Sequence, residues 1–197
     1  PTESVRAWDV CGANLLLNRQ SRRLGLDFDR AGALAKRGEV NRVVLQRMTA
    51  WPHLGAPPPK SLAAEDLEPL HALLDGIPKP EDALATAVGW MAMALTEAVK
   101  SAERPGRILV TGGGAWNEAL LEHWRSALPE GTELEVPSER WIKGKEAAAF
   151  AWLALRTVGG EPTSLASVTG AEFDVCGGRL FGNFAGPIVL NHHERTA

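Results

Sequence analysis

Apolar residues recur along this chain with the spacing of an amphipathic helix, most clearly between residues 81 and 101. Intervals of three and four residues put these side chains on one face of the predicted helix. The stripe consists of Leu84, Val88, Met91, Leu95 and Val99. We interpret it as core packing, because a helix of a globular domain buries an apolar stripe of this width.

Shorter apolar segments that lie between turn residues predict further helices. Asn14 precedes a leucine run, and Asn41 can cap a helix that reaches about residue 49. The same signals predict helices over residues 29–36, 64–74, 118–127 and 143–157. Prolines are frequent from Trp51 to Pro80, which indicates a loop-rich segment around one of these helices.

Stretches rich in β-branched and apolar residues predict strands between the helices. They cover residues 107–111 and 133–136 and about residues 175–181. The apolar residues before Asp9 predict the end of another strand, followed by a tight turn at Gly12. Strands that alternate with helices predict an α/β layered domain.

Composition excludes several classes of protein. The chain has 197 residues, of which 45% are hydrophobic and 23% charged, and a net charge of -3 without a basic stripe. These values favour one globular domain and argue against nucleic acid and anionic membranes as partners. The longest apolar run, residues 147–155, is too short for a membrane span. Two isolated cysteines, Cys11 and Cys176, predict neither a disulfide framework nor a zinc site and favour the cytoplasm.

Asp9 is the first candidate for chemistry, because it stands at a predicted strand end beside a glycine turn. A carboxylate in such a place could act as a general base or hold water bound to Mg²⁺. The alternative is an Asp that hydrogen-bonds its own turn.

The segment Gly112-Gly113-Gly114 is the second candidate, because it joins a predicted strand to a helix that begins after Asn117. Glycines at the carboxyl end of a strand let the backbone approach a ligand, and the next helix offers free N–H groups. The spacing is neither that of a dinucleotide fingerprint nor that of a P-loop. A simple tight turn is the alternative interpretation.

Two further charged residues have two readings each. Glu146, near the start of a predicted helix, shares a face with Phe150 and should point toward packed structure, so it is either a ligand-binding carboxylate or a first-turn Glu stabilised by the helix dipole. Lys60 is either a phosphate contact or a solvated surface charge.

Taken together, these segments resemble the anhydro-N-acetylmuramic acid kinase family in their order and approximate spacing. The resemblance covers nearly the whole chain, and no single motif carries it alone. The matching segments are Trp8 to Leu17, Gly32 to Val40, Pro57 to Ser61, Asp82 to Thr86, Val110 to Asn117, Lys145 to Ala154 and Val168 to Ala171.

The resemblance implies the second lobe of the actin, hexokinase and Hsp70 type of ATPase fold, a ribonuclease-H-like α/β lobe that is rich in helices and has a small mixed sheet. It implies that Asp9 is the catalytic base and that Gly112, Gly113, Gly114 and Asn117 bind ATP, with Mg²⁺ as its metal ion. Glu146 and Asn14 would contact the amino sugar. No metal ion held by protein side chains alone is expected.

The resemblance also implies a reaction. ATP would be used to open 1,6-anhydro-N-acetylmuramic acid with water and to phosphorylate it to N-acetylmuramic acid 6-phosphate, in the recycling of peptidoglycan. Residues 1–197 would form the carboxy-terminal lobe of a homodimeric, cytoplasmic kinase whose amino-terminal lobe is absent, so the chain alone should be inactive.

Two alternative functions remain open at this point. Val10, Cys11 and Ala13 depart from the family pattern around Asp9, and this departure is the reason to consider a non-catalytic module that kept nucleotide binding or dimerisation. Another sugar kinase of the same superfold would also explain the glycine segment.

Overall fold

The computed structural model describes residues 5–101, 106–179 and 181. The chain divides into two compact units, one formed by Asp9–Ile142 and the other by Pro1–Trp8 together with Lys143–Ala197. The larger unit contains the hydrophobic core and most of the helices.

The helices and strands alternate in the second half of the chain, after a run of helices in the first half. In chain order they are α1 (Asn14–Arg22), α2 (Arg42–Thr49), α3 (Pro52–Gly55), α4 (Glu68–Asp75), α5 (Pro80–Lys100), β1 (Arg107–Leu109), α6 (Glu118–Ala127), β2 (Glu133–Glu135), α7 (Glu139–Val158) and α8 (Ala166–Thr169). Short 3-10 turns cover Arg30–Gly32, Ala35–Arg37, Ala64–Leu67 and Gly113–Trp116.

Helix α5 forms the centre of the larger unit, and α1, α2, α4 and α6 all pack against it. Its predicted stripe is confirmed, since Leu84, Val88 and Met91 are buried and the last two members of the stripe pack partly buried against the same core. Trp90 is also fully buried, so α5 is covered on more than one side.

Asparagine side chains cap α2 and α6. Asn41 Oδ1 accepts the N–H of Val44 at 3.0 Å, which confirms the predicted cap. Asn117 Oδ1 accepts the N–H of Leu120 at 3.0 Å in the same way. Each bond satisfies a backbone donor that the first turn of a helix leaves free.

The strands β1 and β2 pair in parallel, with Arg107 opposite Glu133 and Leu109 opposite Glu135. Helix α6 connects them, as parallel neighbours require. The predicted strand–helix–strand unit is therefore confirmed. Within the described ranges the sheet has these two strands only, so it is parallel and not the mixed sheet that we expected.

The predicted strand that ends at Asp9 is absent from the described residues. The backbone N–H of Asp9 instead bonds to the carbonyl of Lys60, just after a run of three prolines at 57–59. Prolines have no N–H to donate, so a ladder of hydrogen bonds cannot extend along this segment.

The helix predicted over residues 29–36 is two short 3-10 turns. Ala31 adopts a left-handed conformation with φ 57° and ψ 14°, which interrupts the helix. The Asp29 carboxylate accepts the N–H groups of Leu34 and Ala35, both at 2.9 Å. A side chain thus supplies the acceptor that helical backbone would otherwise provide.

The smaller unit contains most of α7, which begins four residues before the predicted start, and α8. The strand predicted over residues 175–181 is a single bridge between Val175 and Ser164 in the described part of the segment, and residue 180 lies outside that part. Gly177 and Gly178 follow the bridge, and the positive φ of Gly178, 99°, ends the extended conformation.

No helix that the structure describes combines the length and the apolar character needed to cross a bilayer.

Candidate functional site

The carboxylate of Asp9 is bound by a segment distant in sequence. The N–H of Leu62 donates to Asp9 Oδ2 at 2.9 Å, and the N–H of Asp9 donates to the Lys60 carbonyl at 3.1 Å. His53 Nε2 lies 2.7 Å from the backbone carbonyl oxygen of Asp9. Because a carbonyl can only accept, the imidazole is the donor. The interpretation in which Asp9 bonds its own turn is therefore wrong.

The second carboxylate oxygen of Asp9 is open. Asp9 is exposed, and its Oδ1 accepts no hydrogen bond from any residue within the described ranges. One oxygen is thus fixed by a backbone donor, while the other remains free to take a proton from a bound water or hydroxyl group.

Lys60 is not a free surface charge in this structure. Its Nζ donates to the backbone carbonyls of His53 at 2.7 Å and Leu54 at 3.3 Å. The expectation of a solvated lysine is corrected accordingly, because two carbonyls in the short helix α3 accept hydrogen bonds from two of its three N–H donors.

The turn after Asp9 is tightly packed. A Cβ on Gly12 would lie 2.5 Å from Leu67 Cδ1, so only glycine fits there without movement of the core. Ala13 follows with φ 39° and ψ -120°, a conformation that L-residues rarely adopt, and α1 begins at the next residue. Close packing and local strain therefore set the direction in which Asn14 enters α1.

The glycine segment lies against the start of α1. A Cβ on Gly113 would lie 2.5 Å from Asn14 Nδ2, so these two residues are in direct contact. Gly112 has φ 70° and ψ -162°, which is essentially restricted to glycine. A Cβ on Gly114 would meet nothing within 4 Å. The segment is a 3-10 turn with accessible backbone at Gly114 and the half-exposed Trp116 beside it.

Asn117 has a structural task in addition to its predicted contact with ATP. It is 6% exposed and caps α6, and a Cβ on Gly32 would overlap its Oδ1. The close approach of Gly32 to Asn117 joins two segments that no local sequence signal connects.

Glu146 does not point into packed structure. It lies in the third turn of α7 and is exposed, and Phe150 is 71% exposed. The expected packed orientation is therefore wrong. The reading as a first-turn Glu is also wrong, since α7 begins at Glu139 and the N-terminal dipole does not reach Glu146, whereas a contact with a ligand stays a prediction. Alanines and aromatic residues occupy all sides of α7, so the spacing of its apolar residues does not identify a buried face.

The structure therefore brings Asp9, Asn14, Asn117 and the three glycines into one compact unit, and Glu146 belongs to the other. Cys11, two residues after Asp9, is partly buried against the core. Burial raises the pKa of its thiol, and a hydrogen bond with the backbone of Ala13 opposes that shift only partly. Cys11 is thus held as a neutral thiol, which fits a packed turn residue better than a nucleophile.

Sequence reasoning missed His53 and Leu62 as neighbours of Asp9. The donor to the carboxylate is a backbone N–H, which any residue except proline could supply. The Pro57 to Ser61 segment matches the family pattern, but its position beside Asp9 is visible only in the structure.

Comparison with known proteins identifies relatives of this chain. A family model described as anhydro-N-acetylmuramic acid kinase matches residues 1–183. The anhydro-N-acetylmuramic acid kinase of Roseobacter denitrificans is 36% identical over 181 residues. That match covers 90% of this chain and 47% of the relative, so the chain spans about half the length of the curated protein.

Proposed function

The chain belongs to the anhydro-N-acetylmuramic acid kinase family, and we propose that it supplies the general base and part of the ATP site of such a kinase. The complete enzyme would open 1,6-anhydro-N-acetylmuramic acid with water and phosphorylate it to N-acetylmuramic acid 6-phosphate. The contact between Asn14 and Gly113 carries this proposal, because it joins the start of α1, which follows the turn after Asp9, to the glycine segment.

Asp9 would act as the base that removes a proton from the attacking water. Its Oδ2 is held by the N–H of Leu62, so the carboxylate has one preferred orientation, and its open Oδ1 can take the proton. As the water adds to the anomeric carbon, the bond from that carbon to the bridging oxygen breaks. The freed 6-oxygen of the sugar then accepts the phosphoryl group.

The glycine segment fits a nucleotide. Gly112 has a glycine-specific conformation, and Gly114 leaves open space where other residues carry a side chain. Backbone N–H groups in such a turn can approach a ribose or a phosphate closely. ATP bound there would supply the phosphoryl group, and Mg²⁺ on its phosphates would neutralise developing charge.

A metal ion that is held mainly by the nucleotide would need few ligands from this chain. Mg²⁺ in kinases needs only one or two carboxylates beside the phosphates and water. Asp9 is the carboxylate of this unit that lies nearest in sequence to the turn at Asn14, and it is exposed.

We further propose that the chain needs the remaining part of the kinase for turnover, because the relative has roughly twice its length. Asn14 would contact the sugar in the complete enzyme. A homodimer in the cytoplasm is the form that we expect for it.

The test joins this chain to the part of the kinase that the relative has in addition. ADP release is measured with 1,6-anhydro-N-acetylmuramic acid, and Asp9→Asn is the matched control. We expect turnover that falls by a factor of about 10³ or more in Asp9→Asn. Nucleotide binding without Asp9-dependent turnover would favour a non-catalytic module, and turnover of plain N-acetylmuramic acid would favour another sugar kinase.

A further inference from the structure

We propose that His53 and Lys60 are positioning residues that fix the backbone and carboxylate of Asp9. This inference rests on the proposed function of Asp9 as the base. Neither side chain touches the carboxylate itself in the described structure, so both would act through the segment that holds it.

The contacts around Asp9 form a closed ring. His53 donates from Nε2 to the Asp9 carbonyl at 2.7 Å, and Lys60 Nζ donates to the His53 carbonyl at 2.7 Å. The Lys60 carbonyl in turn accepts the N–H of Asp9 at 3.1 Å. Each member is therefore bonded to the other two, and a shift of one displaces the others.

The ring is attached to the core through aromatic side chains. The His53 and Trp51 rings have centroids 4.9 Å apart at an angle of 31°, and Trp51 lies 5.9 Å from Trp90 by the same measure. Trp90 is fully buried in α5. The His53 ring thus packs against Trp51, which packs in turn against the core, and both contacts limit the movement of the donor that binds the backbone of Asp9.

Lys60 determines where the donor to the carboxylate lies. It stands two residues before Leu62, whose N–H binds Asp9 Oδ2 at 2.9 Å. By bonding the carbonyls of His53 and Leu54, its ammonium ties this loop to α3. Without that tie, the three prolines before it leave few backbone donors to hold the loop in place.

The rate of the catalysed step depends strongly on the position of the base, and a displacement of about 1 Å can lower that rate by about 100-fold. A positioning residue should therefore affect kcat more than KM, and its effect should vanish when the base is removed.

The experiment uses the complete kinase with four variants. His53→Phe keeps a ring for stacking and loses the donor, and His53→Gln restores an N–H near the position of Nε2. Lys60→Met keeps the length of the side chain and loses the donors, and Lys60→Arg restores them. We expect kcat to fall by about 10- to 100-fold in His53→Phe and Lys60→Met, with KM values within about 3-fold of the parent. In His53→Gln and Lys60→Arg, kcat should recover partly.

The same substitutions in an Asp9→Asn background should cause no further loss in kcat. Thermal unfolding of each variant separates this effect from poor folding. His123→Phe and Lys100→Met, at exposed positions on α6 and α5, are the matched controls and should retain the parent kcat.

Parent-like kcat in His53→Phe and Lys60→Met would overturn the inference, and so would equal losses with and without Asp9. If the parent enzyme lacks Asp9-dependent turnover, the proposed function fails instead. The rate of amide hydrogen exchange at Leu62 then tests the positioning role. We expect faster exchange in His53→Phe and Lys60→Met than in the parent, and unchanged exchange would overturn the inference.

Discussion

The side-chain amide of Asn14 lies against the backbone of Gly113, so that a single added carbon on the glycine would approach Asn14 Nδ2 to 2.5 Å. This contact joins the start of α1 to the turn after β1, which are far apart in sequence. The same contact explains why position 113 requires glycine. At Gly112 the requirement comes instead from its φ of 70°, and at Gly114 there is free space for a side chain.

Gly113→Ala should lower the free energy of unfolding by about 1 kcal/mol, because the new methyl group must displace the Asn14 amide. In an Asn14→Ala background the same change should cost nothing or give a small gain, since the obstacle is gone. Urea unfolding of the two single variants and the double variant measures this coupling. Gly114→Ala, where a Cβ meets nothing, is the control. Equal costs of Gly113→Ala in both backgrounds would contradict the contact.

Ala13→Gly should stabilise the chain by about 1 kcal/mol. Ala13 has φ 39° and ψ -120°, a conformation that costs a residue with a Cβ about 1–3 kcal/mol, and the greater freedom of glycine in the unfolded chain offsets part of the gain. Ala33 is exposed at φ -64°, so Ala33→Gly should instead lose about 0.5–1 kcal/mol. The denaturant midpoint of unfolding of each variant is compared with that of the parent. Destabilisation by Ala13→Gly would show that the backbone at Ala13 is not strained.

The elements that the sequence predicts well are those with local signals. Three predicted features depend on residues within one element and its ends: the stripe of α5, the cap at Asn41 and the strand–helix–strand unit around α6. Short-range preferences and burial agree in these places, so the pattern alone indicates the structure.

The parts that the sequence did not predict depend on hydrogen bonds that cross between segments, or lie in a helix without a periodic apolar pattern. The Asp9 carboxylate accepts the backbone N–H of Leu62, and a backbone donor does not depend on the type of residue that supplies it. The segment after Asp29 forms 3-10 turns because the carboxylate binds two N–H groups further on. Along α7 the apolar residues occupy all sides of the helix, so no periodicity shows that Glu146 is exposed.

The two thiols should differ in reactivity toward a disulfide reagent at pH 8. Burial raises the pKa of Cys11, so less thiolate is present there, and the same burial limits access; Cys176 is exposed. We expect Cys11 to react at least about tenfold more slowly. The single-cysteine variants Cys176→Ser and Cys11→Ser allow the two rates to be measured separately, and both should become equal in denaturant. Equal rates in the folded chain would contradict the burial of Cys11.

His71, on α4, is 6% exposed and its Nδ1 has no hydrogen-bond partner in the described structure. Burial is the main cause that lowers its pKa, and the neighbouring Arg19 adds to the effect, while Glu68 and Asp75 oppose it. For Asp75, burial would raise the pKa, but hydrogen bonds from Gln20 and Arg19 outweigh it and lower the pKa. Protonation of either group therefore favours the unfolded chain, each in its own pH range.

The folded chain should lose stability between pH 7.5 and pH 5.5 because of His71. Its pKa lies below the ordinary 6.5 in the folded state, so the unfolded chain binds the proton first as the pH falls through that value. Asp75 remains ionised over this interval, since its contribution disappears only below about pH 3.8. Urea unfolding at both pH values should show a smaller decrease in His71→Leu than in the parent. His123→Leu, which removes an exposed histidine on α6, should keep the decrease of the parent. An unchanged pH dependence in His71→Leu would mean that the buried imidazole is not the group whose protonation opposes folding.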